Sequence, residues 1–150
     1  MKQDSGLSIR NKRAWAEFFI LERFEAGLEL LGTEVKSLRD RNCNFTDSFI
    51  SIRKGQAYVE NLHIGEYPNA SRFNHDAKRP RRLLLKRSEL NSIVGKMQRQ
   101  SLTIVPLAIF TKGRWIKMEI GLAKGKKQYD KRQDLAKRDS DRDIRRALKG

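Results

Sequence analysis

Apolar and polar residues alternate along this chain with two different periods, and each change of period marks an element. Ile116, Met118, Ile120 and Leu122 alternate with Trp115, Lys117, Glu119 and Gly121. That period of two predicts a strand with one buried face. Leu90, Ile93, Val94 and Met97 recur instead at i, i+3, i+4 and i+7, the stripe of a helix begun by Ser88 as its cap. Gly95 inside that stripe costs about 1 kcal/mol against Ala.

Shorter segments fill in the rest. Phe18 to about Glu25 is rich in aromatic and β-branched residues and predicts a strand, bent or broken at Glu25-Ala26-Gly27. Gly32 to Arg39 predicts a short helix capped by Thr33, with Glu34 in its first turn, Val35 and Leu38 toward the core, and Asn42 as a left-handed stop. Phe45 to Ile52 and Ala57 to Ile64 predict a hairpin around Arg53 to Gln56. Leu102 to Phe110 predicts a buried strand whose Pro106 marks an edge or a bulge, turned by Thr111 to Arg114. Asn11 is placed to cap a short helical turn. Residues 1–10 are expected to be loose and 65–82 to form a loop.

At least five short strands with two or three short helices make a mainly β fold. The best fit is an OB-like antiparallel β-barrel over 11–122, with an open α+β sheet as the alternative. Residues 123–150 do not fit a core. They hold eleven Lys/Arg and five Asp, a net +6, and their sizeable apolar residues are Tyr129, Leu135, Ile144 and Leu148. Such a tail is expected to be disordered in free solution. Asp134 precedes Arg138, and Asp141 precedes Arg145, by four residues. These pairs supply roughly 0.2–0.5 kcal/mol each to a helix, too little to nucleate one alone. A polyanionic surface that neutralised the bases would let the helix form.

Charge changes the picture next. The 150 residues carry a formal net charge of +15, which points to nucleic acid first and an anionic membrane surface second. The run Ile104 to Phe110 is too short to cross a bilayer, and the N-terminal residues carry no apolar signal segment. The expected compartment is cytoplasmic. Lys78, Arg79, Arg81, Arg82, Lys86 and Arg87 crowd six positive charges around Leu83-Leu84-Leu85, a candidate phosphate-contacting cluster. Tyr67, Phe73 and Trp115 are candidates to stack on bases.

Candidate chemistry is sparse. One cysteine and two histidines make neither a disulfide nor a structural zinc site. Arg39 and Arg41 lie near Cys43 in sequence and could lower its pKa, but no base is placed beside it. His63 reads as a half-buried structural residue and His75 as a solvated loop residue. No phosphate-binding glycine loop is present, and no set of carboxylates nominates a metal nuclease. The chain reads as a binding protein with no catalytic residues, metal or cofactor.

A series of motifs then sharpens this reading. Glu25-Ala26-Gly27, Gly32-Thr33-Glu34-Val35-Lys36-Ser37, Asn44 to Phe49, Asn61 to Ile64, Arg81 to Leu85, Thr103 to Leu107 and Ala123 to Arg132 occur in order from about Asn11 to Arg138. Together they resemble the small protein B family, the SsrA (tmRNA)-binding proteins of bacteria. The resemblance implies an OB-like barrel with a basic tail that binds the tRNA-like domain of tmRNA and brings it to stalled ribosomes. The tail would occupy the empty mRNA channel near the decoding centre, and elongation factor Tu would take part indirectly through alanyl-tmRNA. By matching position, Asn11, Glu25, Lys36, Arg82, Leu84 and Lys86 belong to the tmRNA face. Lys124, Lys126, Lys127, Tyr129, Asp130, Lys131 and Arg132 belong to the ribosomal contact of the tail. Lys86 stands where the family often has His or Asn, and Tyr129 occupies a variable position. Arg41 stands where Gly is common, which shifts the turn to Asn42. Without the resemblance, the residues support a general basic single-strand nucleic-acid-binding OB protein.

Overall fold

The computed structural model describes residues 7–68 and 74–126. In chain order these form β1 (Ser8–Arg10), α1 (Lys12–Glu17), β2 (Phe18–Leu28), α2 (Gly32–Arg39), β3 (Cys43–Asn44), β4 (Phe49–Arg53), β5 (Gln56–Glu60), β6 (His63–Ile64), β7 (Arg81–Leu84), α3 (Arg87–Gln100), β8 (Thr103–Lys112) and β9 (Trp115–Gly125). The architecture is a mainly antiparallel sheet with a few short helices. Seven strands run in the order β1-β8-β9-β2-β7-β5-β4, and β3 pairs with β6 apart from them. No helix among the described residues is long and apolar enough to cross a membrane.

The two periods that organise the sequence also organise the core. Ile116, Met118, Ile120 and Leu122 all point inward from β9 and are buried. They meet Ile104 and Ile109 of β8, Ala26 and Leu28 of β2, and Leu90 and Ile93 of α3 in one cluster, against which Val94 and Met97 pack. Each large aliphatic buried in this way contributes about 1.5–3 kcal/mol. The Lys54-Gly55 turn of the β4–β5 hairpin has φ of 50° and 73°. Two positive φ values match the twist of the flanking strands, and glycine reaches its value without steric cost. The β8–β9 ladder shifts register between Pro106 and Ala108, so the proline marks a bulge.

Several boundaries differ from the sequence reading, each through a long-range contact. Ser8–Arg10 are not loose: they pair with β8, and Leu7 and Thr111 exchange bonds of 3.0 and 3.1 Å beyond the ladder. Gly27 does not end β2, because β7 pairs with both Gly27 and Leu28. The expected 45–64 hairpin is shorter, since Cys43–Asn44 and His63–Ile64 close a separate ladder. Strand β9 continues to Gly125, three residues into the expected tail, because β2 pairs with it as far as Phe18.

The helix caps differ as well. Thr33 does not cap α2; Leu31 occupies that position, and its N–H donates to Glu34 Oε1 at 2.7 Å. Lys86 rather than Ser88 precedes α3, with its N–H on Glu89 Oε1 at 3.1 Å. Asn11 stands at the start of α1 but makes no side-chain cap. Its Nδ2 donates to Pro106 O at 2.8 Å, beside the register shift of β8. Arg41, not Asn42, takes the left-handed position after α2, at φ 60°. Its Nη1 donates to Ser8 O at 2.9 Å, a partner that offsets the strain.

Candidate nucleic-acid interface

Strand β7 divides the basic cluster. Residues of a strand point alternately to its two faces, and here Arg81 and Leu83 are buried while Leu84 is exposed and Arg82 partly so. Two neighbouring arginines therefore enter different environments.

Arg81 is fully buried and meets Glu34, also fully buried, from α2. Its Nε donates to Glu34 Oε2 at 2.7 Å, Nη1 to Leu62 O at 2.5 Å and Nη2 to Ala77 O at 3.1 Å. Arg79 adds bonds of 2.8 and 3.1 Å to the same carboxylate. Burial works against the Glu34 charge. The bonds from Arg79 and the Leu31 N–H, with the nearby Arg81 charge, outweigh it and hold the carboxyl below its ordinary 4.5. Burial likewise pulls Arg81 down from its ordinary value, while Glu34 supports its charge. Buried charges persist when their hydrogen-bonding capacity is filled, and this group ties α2 to the segment before β7. His75 completes it. It is buried rather than solvated: Nε2 donates to Ile64 O at 2.7 Å, which leaves Nδ1 to accept the Thr33 hydroxyl at 2.8 Å. The Gly32 to Ser37 motif is thus largely architectural, and Arg79 and Arg81 are withdrawn from the candidate phosphate-contacting cluster.

The opposite side of β7 builds the candidate interface. Gly27 of β2 lies between Leu84 of β7 and Lys117 of β9. A Cβ on Gly27 would stand 3.1 Å from Leu84 Cβ, so glycine is what allows Leu84 to sit there. Two residues back on the same face, Glu25 lies opposite Glu119. Lys112 relieves this like-charge pair by reaching Glu25 at 3.0 Å, and Arg23 by reaching Glu119 at 3.5 Å. Arg82 faces outward with Glu29 at 3.6 Å. Beside Leu84 runs an open groove of about 640 Å³ lined by the apolar Leu28, Leu30, Val35 and Ile116, with Glu29, Arg114, Trp115 and Lys117 also on its wall.

Glu25, Arg82 and Leu84, which the resemblance assigned to one face, do share it. Lys86 follows two residues beyond Leu84 and is exposed at the start of α3. Asn11 and Lys36 are held elsewhere, Asn11 on Pro106 and Lys36 with Nζ 5.5 Å from the Tyr67 ring centre. Tyr67 is itself anchored by two bonds with Asn74 and is half-buried. Lys124 belongs to β9 opposite Phe19, and Lys126 Nζ lies 5.2 Å from the Phe19 ring centre. Lys127, Tyr129, Asp130, Lys131 and Arg132 lie outside the described residues, as do Phe73 and the tail helix expected on binding.

Burial pushes the Cys43 thiol up to about 12, only partly opposed by the Arg81 charge, the opposite direction from the lowering that Arg39 and Arg41 could give. No group of three His, Cys, Asp or Glu side chains among the described residues could hold a metal ion. Sequence reasoning missed Arg114, Lys117 and the groove itself. Lys117 was legible as a polar position in the alternation of β9. The groove was not, because its floor comes from segments far apart in the chain.

The SmpB protein family matches residues 8–150. A curated SsrA-binding protein of Thermosipho melanesiensis is 52% identical over 141 residues, covering 93% of this chain and 96% of the relative. One from Geobacillus kaustophilus is 44% identical over 148 residues, covering 99% and 96%. A solved chain described as "tmRNA-SmpB: a journey to the center of the bacterial ribosome" superposes with a TM-score of 0.67 at 44% identity, over 80% of this chain and 85% of that one.

Proposed function

The chain belongs to the SmpB protein family, and from that premise we propose that it binds tmRNA and serves trans-translation, the rescue of ribosomes stalled on messages without a stop codon. The observation that carries this is the family match from residue 8 to 150, which takes in the sheet and the basic tail alike. The outer sheet face with Glu25, Arg82, Leu84 and Lys86 serves the tRNA-like domain. That domain is folded RNA, so shape, phosphate and 2′-OH contacts dominate its recognition. Asn11 and Lys36 contribute from outside this face.

The tail serves the ribosome. Its net +6 over 123–150 suits an rRNA-lined channel, with Lys124, Lys126, Lys127, Tyr129, Asp130, Lys131 and Arg132 as its first contacts. It enters the mRNA path only where message is absent, a steric test that needs no base readout. Elongation factor Tu joins through alanyl-tmRNA. The protein acts in the cytoplasm by binding, not by catalysis. The sheet is read as an OB-like barrel, which the approach of β4 to β8 without a shared ladder supports.

The test is competition. The full chain is offered the tRNA-like domain of tmRNA against excess ordinary tRNA at two salt concentrations. A preference that survives the higher salt is expected. One that vanishes would leave a general single-strand binder held by charge alone. The tail is tested by truncation after Lys126. A cut after Leu122 would remove fully buried Ala123 and its ladder with β2. The shorter chain should keep its RNA affinity and lose tagging of stalled peptides; retained tagging would overturn the role of the tail.

A further inference from the structure

Most cations on the outer sheet face are already engaged. Arg23 reaches Glu119, Lys112 reaches Glu25, Arg53 reaches Glu60 and Arg82 approaches Glu29. Arg114 and Lys117, on the edge of the groove beside Leu84, have no acidic partner among the described residues. Between them in sequence stands Trp115, 67% exposed and the most exposed of the large hydrophobic side chains described. Leu84, 46% exposed, lines the same groove, and Gly27 leaves bare backbone between it and Lys117.

An exposed indole beside aliphatic side chains and two uncommitted cations, with the carboxylate of the lining, Glu29, turned to Arg82 at 3.6 Å, has chemistry complementary to an unstacked base with its flanking phosphates. Indole offers a π-face that any base can cover. Leu28, Leu30, Val35 and Ile116 give the base an apolar bed. Arg114 and Lys117 supply charge where the neighbouring phosphates would run, which a peptide partner would not require. The contacts that hold other aromatics in place are absent here. Trp15 carries Arg10 over its ring at 4.8 Å, and Tyr58 carries Arg53 at 4.5 Å. Trp115 has no such cation over it among the described residues.

We propose that Trp115 is an RNA-binding residue that stacks on one unpaired base of the bound RNA in the Leu84 groove, with Arg114 and Lys117 on the adjoining phosphates. This rests on the RNA-binding reading above and adds a base contact to a surface otherwise recognised by shape and phosphate.

The test uses the full chain and the tRNA-like domain of tmRNA as probe. Trp115→Ala is expected to weaken binding roughly 10–100-fold, with Trp115→Phe retaining most of the affinity. Arg114→Ala and Lys117→Ala should each lower the slope of affinity against salt by about one, whereas Trp115→Ala leaves that slope unchanged. Trp15→Phe makes Trp115 the sole indole, since the chain has two tryptophans. Its fluorescence should then quench as RNA binds. Trp115→Ala binding like the parent overturns the proposal. So does lost affinity without quenching in the Trp15→Phe chain, which would put the indole against sugar or protein. Failure of the parent chain itself to prefer this RNA over tRNA would instead sink the functional reading. Thermal melting of each variant separates loss of binding from loss of fold.

Discussion

Arg81 and Arg82 are neighbours in sequence and opposites in circumstance. Arg81 is sealed under the sheet against Glu34, with its remaining donors on backbone carbonyls. Arg82 lies on the outer face with a looser partner at 3.6 Å. Leu83 and Leu84 repeat the division, 2% and 46% exposed. A basic cluster is therefore two things at once. One half stabilises the architecture where its charge is unavailable to any partner, and the other presents charge and apolar surface to solvent. The pleat of one strand separates them, and the buried half positions the exposed half by fixing where β7 enters the sheet.

The comparison breaks most sharply at Glu34. Glu34→Ala leaves Arg81 buried without its counter-ion, and loss of one partner of a buried pair costs roughly 3–5 kcal/mol. A urea titration should show that loss, with Arg81→Ala similar. Arg82→Ala should stay within about 1 kcal/mol of the parent, because exposed ion pairs contribute little. Equal losses at positions 81 and 82 would erase the distinction between the two faces.

Next comes RNA affinity. Leu84→Asp places a carboxylate on the candidate interface, next to Gly27. It should reduce binding to the tRNA-like domain at least tenfold while changing the urea midpoint little. Filter binding beside the same urea titration checks both halves of that statement.

Acid sharpens the comparison further. The folded Glu34 carboxyl lies below its ordinary 4.5. Its contribution is therefore complete above about pH 4.5 and is lost as the pH falls through the depressed folded value. Stability should decline over that acid range, and the decline should be shallower in Glu34→Gln, whose side chain does not titrate. The smallest effect is expected at Lys112→Ala. Its ion pair with Glu25 is exposed on both sides, so stability should change by no more than about 0.5 kcal/mol.

How much of this was legible depends on the distance over which each feature is decided. The β9 alternation and the α3 stripe were read correctly because the burial of each residue follows from its neighbours two to four positions away. The proline bulge and the turn at Lys54-Gly55 were legible for the same reason. Glu25, Arg82 and Leu84 were assigned to one face by resemblance, and the strand registers bring them together. Thr33 and His75 were misread, and Glu34, correctly placed in the first turn of α2, was not seen to be buried. Thr33 meets His75 across 42 residues, and Glu34 meets Arg79 and Arg81 across 45 and 47. No local pattern reports such separations. Arg41 was misread because the strain at its left-handed position is offset by a partner on β1, which the sequence reading left loose.

The sequence by itself determined the two periods, the charge of +15 and the strongly basic composition of the tail. These are sums or short-range patterns, so they survive without knowledge of the fold. Only the tertiary structure decided which cations are committed and which remain free. A charge acquires its partner from whatever the fold brings within a few ångströms, and the desolvation that makes Arg81 architectural while leaving Trp115, Arg114 and Lys117 at the edge of a groove exists only once the sheet has closed over its core.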